Sequence, residues 1–359
     1  MLRADKLRDR AQKPASVAAL WQSTAVKTTL PVHDLGSSGI SITRVGFGAW
    51  AIGGEWAFGW GPQDDALSIA AIRHAIESGI NWIDTAPAYG LGHSEEVVAA
   101  ALRDLPEQDR PYVFTKAGLV WADDPNSQPS RIGSPASLRR EVEASLRRLE
   151  RDRIDLYQMH WPPQDGTSLE EYWSTFADLK AEGKVQAIGL SNHKVRQLEE
   201  AEAISHVDSL QPPFSPINRT AAADVLPWCE ANGTGVIVYS PMASGLLSGR
   251  WSEERSASLD AGDWRRSNPN FSGEKLKAGL ALADGLRPIA ERQNASVGSV
   301  AIAWTLAFPG VTGAIVGARD PEQIDGWIAA ATLTLDDRDI EEASGAIESS
   351  GLGAGPTRP

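Results

Sequence analysis

Eight short runs rich in Val and Ile, separated by longer segments whose apolar residues recur at helical spacing, limit what this chain can fold into more than any other feature. The runs are residues 44–48, 81–84, 112–116, 155–160, 187–191, 207–211, 235–240 and 314–317. Strand and helix alternate with no long polar linker between them, which predicts a parallel sheet. Eight is the count that closes a single (β/α)8 TIM barrel. A doubly wound sheet is the alternative, and 359 residues with 42% hydrophobic content supply a core for either.

Between the runs, residues 64–78 read as a helix with Leu67, Ala70, Ala71, His74 and Ala75 on one face and Gly79 as its stop. A second helix begins at Ser134 and Pro135 and carries Leu138, Val142, Ser145, Leu146 and Leu149. A third spans residues 169–182 and ends at Gly183. Before the first barrel run, residues 32–42 hold Gly36, Ser37, Ser38 and Gly39 between apolar stretches, the pattern of an N-terminal β-hairpin placed to plug the lower mouth of a barrel. The expected division is a mobile extension over residues 1–29, with a short docking helix at 17–22 as the alternative, the barrel over 30–340, and a tail over 341–359. The Gly- and Pro-rich end of that tail, residues 349–359, is expected to be disordered or folded over the pocket. Two connections, 117–133 and 245–273, exceed the usual length and are expected to be functional.

A formal charge of -13 disfavours nucleic acid and anionic membrane as partners and leaves a small molecule as the expected one. The single cysteine, Cys229, permits no internal disulfide, and no Cys/His spacing suggests a metal site. The first residues lack a signal-peptide pattern, and no run approaches the roughly 18 apolar residues of a membrane span. The expected location is the cytoplasm.

If the runs are strands, Asp84, Lys116 and His160 each stand at the C-terminal end of a different one, and Tyr89 follows in the loop after Asp84. Barrel active sites are built at that end. Taken singly, each has an ordinary use: helix cap, packing aromatic, solvated strand end, core histidine. Taken together they suggest acid–base chemistry. A Lys ammonium beside a Tyr favours phenolate and brings the phenol toward the working pH range, an Asp holds the Lys, and a His orients a carbonyl oxygen or shares its proton. No activated nucleophile or metal cluster accompanies them, so a hydride would come from a bound cofactor, most naturally a nicotinamide.

The segments Asp84-Thr-Ala-Pro-Ala-Tyr89-Gly90, Thr115-Lys116 and Asp155-Leu-Tyr-Gln-Met-His160-Trp161-Pro162 resemble the catalytic segments of the aldo-keto reductase family. The likeness continues in order through Gly189-Leu-Ser191-Asn192, Gln211-Pro-Pro-Phe214, Tyr239-Ser240-Pro241, Ser244-Gly-Leu-Leu-Ser-Gly249 and Gly317-Ala-Arg319-Asp-Pro-Glu-Gln323. It covers residues 30–340, and the wording is similar to the bacterial branch of general-stress and inositol-locus reductases.

The resemblance implies that Asp84, Tyr89, Lys116 and His160 are catalytic and that NADPH is the cofactor. Ser191, Asn192 and Gln211 would hold the nicotinamide carboxamide, with Phe214 stacked on the ring. Ser240, Pro241, Met242, Gly245, Leu246 and Gly249 would wrap the pyrophosphate, and Gly317, Ala318, Arg319 and Gln323 would contact the adenosine end. Trp50, Asp84 and Tyr239 are counted with these cofactor residues. A guanidinium at Arg319 pairs well with a 2′-phosphate, which favours NADPH over NADH. No contact is carried over to Trp327, where relatives place an Asn.

Of the 13 Trp, Trp56, Trp121 and Trp161 are the expected substrate wall, suited to apolar or aromatic aldehydes. His93 and His193 are expected to be ordinary loop residues. The expected reaction is NADPH-dependent reduction of aldehydes or ketones to alcohols. The alternatives are an NAD(P)-dependent sugar or polyol dehydrogenase and a cofactor-sensing regulatory subunit.

Overall fold

The structure is a computed structural model and describes residues 29–122 and 127–359, so the segment read as an extension lies outside it except for residue 29. A hairpin, β1 (Val32–Asp34) and β2 (Ser41–Thr43), precedes the first barrel strand, β3 (Val45–Gly48). Then come β4 (Trp82–Asp84), β5 (Tyr112–Ala117), a short ribbon of β6 (Leu119–Val120) and β7 (Ser130–Arg131), β8 (Ile154–Met159), β9 (Val185–Ser191), β10 (Ser209–Gln211), β11 (Gly235–Tyr239) and β12 (Val311–Gly317). All eight expected runs form strands, joined in parallel in the closed order β10-β11-β12-β3-β4-β5-β8-β9. Strands with side chains inside the barrel on one face and helices on the other must be apolar on both, and every residue of β8 is buried.

The hairpin closes the lower mouth, as its position suggested. β1 and β2 pair antiparallel, and Leu35, Ile40 and Ile42 pack into the barrel against Trp82, Phe114, Leu156, Ala187, Ile237 and Ile315. The Trp82 indole donates to the Thr43 carbonyl at 2.9 Å, which ties the plug to β4.

The helix Asp65–Glu77 starts where the Asp64 carboxylate accepts the Leu67 N–H at 3.1 Å. Its buried face differs from the expected one: Ser68, Ala71, Ile72, Ala75 and Ile76 are inside, while Leu67 is 51% exposed. Turning by one residue buries two isoleucines in place of one leucine, the larger apolar gain. The helices Pro135–Leu149 and Leu169–Ala181 bury the faces their spacing implies. Ser134 precedes the first without a side-chain cap, and Ser168 and Glu171 form a capping box on the second.

Both long connections carry structure of their own. β6 and β7 pair antiparallel within the first. The second holds the helix Glu253–Ala257 and bridges to the loop after β3, with Trp60 paired to Asp263 and the Trp264 N–H donating to the Gly59 carbonyl at 3.2 Å.

The tail departs from expectation. The boundary drawn at residue 340 falls inside the helix Asp337–Ser350, and the end of the chain is tied down rather than loose. Arg219 donates to the carbonyls of Leu352 at 3.0 Å and Gly355 at 3.2 Å, and the Ser344 hydroxyl donates to the Thr357 carbonyl at 2.8 Å. The Arg219 bonds fasten the tail to the loop that follows β10, and the Ser344 bond folds it back on its own helix, because a buried guanidinium draws backbone carbonyls that composition does not reveal. No helix of the described residues is long and apolar enough to cross a membrane.

Candidate active site

Asp84 ends β4 and Lys116 lies near the end of β5, both facing the barrel interior and both buried. The Lys116 Nζ donates to Asp84 Oδ1 at 2.5 Å and to the Thr85 carbonyl at 2.9 Å. The other carboxylate oxygen, Asp84 Oδ2, accepts from Gln211 Nε2 at 2.8 Å and from Gln158 Nε2 at 3.3 Å. Tyr89 arrives on a turn in which its N–H donates to the Ala86 carbonyl at 3.1 Å. Gly90 follows in left-handed backbone, and a Cβ there would sit 1.8 Å from the Gly53 carbonyl oxygen, so only glycine lets this turn lie against the loop after β3. His160 stands just past the end of β8. The ring of Tyr89 is therefore bracketed, with Lys116 Nζ 5.2 Å from its centroid and the His160 ring edge-on at 5.8 Å.

The electrostatics correct one expectation. Burial raises the Tyr89 phenol well above its ordinary range, and the Asp84 charge adds to this. The net shift is upward although the Lys116 ammonium lies 5.2 Å from the ring centroid, where two of its hydrogens go to Asp84 and Thr85. Burial lowers Lys116 itself, opposed by the Asp84 charge and hydrogen bond. Burial pushes His160 well down, helped by the Lys116 and Arg131 charges, and its buried Nδ1 has no partner within the protein. A protonated phenol thus faces a neutral imidazole. Such a pair can give a proton to a developing alkoxide.

Beside it, the ends of β9, β10 and β11 converge. Asn192, in left-handed backbone, donates to the His160 carbonyl and to Ser191 Oγ, each at 3.0 Å, and accepts from the Tyr239 hydroxyl at 2.9 Å. Ser191 Oγ donates to the Gln211 carbonyl at 2.9 Å. Phe214 is not part of this group. Its N–H donates to the Tyr239 carbonyl while its ring is turned fully into the core against Trp304 and Phe308, so it offers no face for stacking. The aromatic that joins this group is Tyr239, through its hydroxyl bond to Asn192.

Past β11 the backbone is left-handed at Ser240, Ala243, Ser244, Gly245 and Gly249, and the N–H groups of Ala243, Gly245, Leu246, Leu247 and Ser248 donate to carbonyls of the same loop, which folds it into a tight turning path. The Leu246 side chain packs inward with Trp251, Phe271 and Leu276. After β12, Arg319 donates through Nε to Gln63 Oε1 at 2.6 Å and through Nη2 to the Pro62 carbonyl at 2.5 Å. Gln323 accepts from the Arg319 N–H at 3.1 Å and donates to Asp320 at 2.6 Å.

Trp50 and Trp56 flank Tyr89, at 6.4 and 6.1 Å between ring centroids. Trp161 adjoins His160 and lies under the Arg131 guanidinium at 4.5 Å. Trp121 has no ring contact with Tyr89 or His160 among the described residues. His193 is buried, between the Tyr172 hydroxyl and the Ser191 carbonyl, and His93 pairs with Asp65 on the surface. Four site residues escaped the sequence reading: Gln158, Gln63, Trp264 and Arg131. Gln158 alone had a signal, since it lies two positions before His160 on a strand and must share its face. Trp264 stacks on Trp50 at 5.3 Å from a loop 214 positions away (264 minus 50), which no local pattern shows.

The model of the aldo/keto reductase family matches residues 44–348. The aldo-keto reductase YhdN of Bacillus subtilis (strain 168) is 35% identical over 316 residues, covering 88% of this chain and 93% of its own. The NADH-specific methylglyoxal reductase of Escherichia coli (strain K12) is 35% identical over 327 residues, covering 88% and 98%. Among solved structures, the glycerol dehydrogenase AKR11B4 from Gluconobacter oxydans superposes with a TM-score of 0.79 at 34% identity, covering 90% and 96%. The chain, an oxidoreductase by its kin and a (β/α)8 barrel by its topology, belongs to the aldo/keto reductase family.

Proposed function

We propose that this chain reduces aldehydes or ketones to alcohols with NADPH as reductant and Tyr89 as the proton donor. The observation that carries the reading is the bracketed phenol: Tyr89 between Lys116 and His160, with Asp84 2.5 Å from Lys116, at the C-terminal mouth of the barrel. When bound, the nicotinamide supplies the hydride. Tyr89 gives its proton to the carbonyl oxygen, and neutral His160 orients that oxygen. Lys116, anchored by Asp84, sets a positive charge beside the developing alkoxide. Ser191, Asn192 and Gln211 form the polar edge for the carboxamide, with Tyr239 as the neighbouring ring. The turning loop from Ser240 to Gly249, with glycines at 245 and 249 that let a ligand approach the backbone closely, suits a pyrophosphate, and Arg319 suits a 2′-phosphate. Trp50, Trp56 and Trp161 wall the substrate side.

The test is NADPH oxidation over a panel of aldehydes, ketones and keto-sugars, repeated with NADH. Turnover that Tyr89→Phe abolishes is expected, and normal turnover by that variant would sink the mechanism. A second reading, oxidation of a polyol, is favoured by the likeness to a glycerol dehydrogenase. Oxidation needs a phenolate to take the proton, and the upward shift of Tyr89 supports the reductive direction instead. Faster NADP+ or NAD+ reduction with glycerol or sugars than NADPH oxidation with carbonyls would reverse the assignment.

A further inference from the structure

The amide of Gln158 lies in the barrel centre, fully buried, below the residues to which the proposed reaction gives roles. Three side chains from three strands meet there. Gln158 Nε2 donates to Asp84 Oδ2 at 3.3 Å, while Gln158 Oε1 accepts from Gln211 Nε2 at 3.0 Å. Gln211 Nε2 also donates to Asp84 Oδ2 at 2.8 Å. A primary amide nitrogen carries two hydrogens, so both of those on Gln211 are committed inward. Its Oε1 takes no partner from the protein and is not among the buried unpartnered atoms. Rotating the amide by half a turn would set that oxygen against the Asp84 carboxylate and the Gln158 carbonyl, two acceptors facing a third. The carboxylate thus dictates the orientation of both amides, and Gln158 completes it.

We infer that Gln158 is a positioning residue that locks the Gln211 amide with its oxygen outward, so that the site offers an acceptor to the N–H groups of the nicotinamide carboxamide. This rests on the nicotinamide-dependent reading above. Gln158 touches neither cofactor nor substrate; it acts through Gln211 and through the second oxygen of Asp84. Losing it leaves the Gln211 amide held by Asp84 alone, with one of its two inward bonds gone, and an amide that turns presents a donor to a donor.

The experiment compares NADPH with 2′-phospho-ADP-ribose, which lacks the nicotinamide, by equilibrium titration of the whole protein. In Q158M, which keeps side-chain length and removes both hydrogen-bonding atoms, NADPH affinity is expected to fall about tenfold, the scale of one buried hydrogen bond. The fragment is expected to bind as to the unaltered protein. Unchanged NADPH affinity overturns the inference. If Q158M loses both ligands together, Q158E decides. It keeps the shape and, protonated beside the buried Asp84 carboxylate, both the donor to Asp84 Oδ2 and the acceptor for Gln211 Nε2, and the NADPH-to-fragment ratio is expected within about threefold of the unaltered ratio. A ratio collapsed in Q158E as well overturns the inference. If the unaltered protein fails to bind NADPH at all, the proposed function is what fails.

Discussion

Arg319 and Gln63 are bonded in both directions: the Arg319 Nε donates to Gln63 Oε1 at 2.6 Å, and Gln63 Nε2 donates to the Arg319 carbonyl at 3.0 Å. The guanidinium that would read a 2′-phosphate is therefore held by the loop after β3, where it also meets the carbonyl of Pro62. A charged phosphate offers stronger acceptors than an amide and a carbonyl, whereas a ribose hydroxyl does not. Arg319→Ala should raise the KM for NADPH about tenfold or more and leave that for NADH nearly unchanged. Steady-state kinetics with both cofactors checks this, and equal losses would remove Arg319 as a discriminator.

Tyr89→Phe removes the one acidic proton that burial and Asp84 hold in place. Turnover should fall by about 10²- to 10⁴-fold, the range for a lost general acid, with NADPH binding preserved. Fluorescence titration alongside the rate assay separates the two effects.

The reduction rate should not fall across neutral to mildly alkaline pH through loss of the phenol proton, since the Tyr89 shift is upward. An alkaline limb beginning below the ordinary tyrosine range, and absent from the cofactor-binding profile, would contradict that direction.

Trp264 stacks on Trp50, which in turn flanks Tyr89. Trp264→Ala should raise the KM for an aromatic aldehyde about fivefold, the value of one aromatic contact, and change that for a small aliphatic aldehyde little. A uniform effect on both would place Trp264 outside the substrate wall.

His193 is a stability switch rather than a chemical group. Burial pushes it down to about 4 from 6.5, against the Ser191 carbonyl bonded to one ring nitrogen, which raises it; the other ring nitrogen meets the Tyr172 hydroxyl. A depressed value means that the unfolded chain binds the proton more readily. The contribution is complete above the unfolded value and is lost as pH falls toward the folded one. At most about 3 kcal/mol is involved. Thermal melts of the unaltered protein should drop between about pH 6.5 and 4, and those of His193→Gln should drop less over the same interval.

Much of the fold could be read from the chain because its signals are local. Strand runs and the 3.6-residue period need only neighbours a few positions apart, and the hairpin needed only Gly36 to Gly39 between apolar flanks. The helix face at 65–77 was misjudged because periodicity alone does not weigh Ile72 and Ile76 against Leu67. Phe214 was misplaced because the turn after β10 sends its ring toward Trp304, a partner 90 positions on (304 minus 214). Composition suggests a loose tail because it does not show that Arg219 binds the carbonyls of Leu352 and Gly355.

The sequence by itself determined the eight strand runs, their order along the chain and the positions of Asp84, Lys116 and His160 at strand ends with Tyr89 in the following loop, because each depends on spacing within one strand and its following loop; closure into a barrel came from the pairing of strands. Only the tertiary structure decided that burial and Asp84 push the Tyr89 phenol upward, that Gln158 and Gln211 share Asp84, and that Arg319 rests on Gln63. Those outcomes depend on distances and burial across strands that are remote in the chain, and electrostatic and hydrogen-bond energies are set by such distances rather than by order.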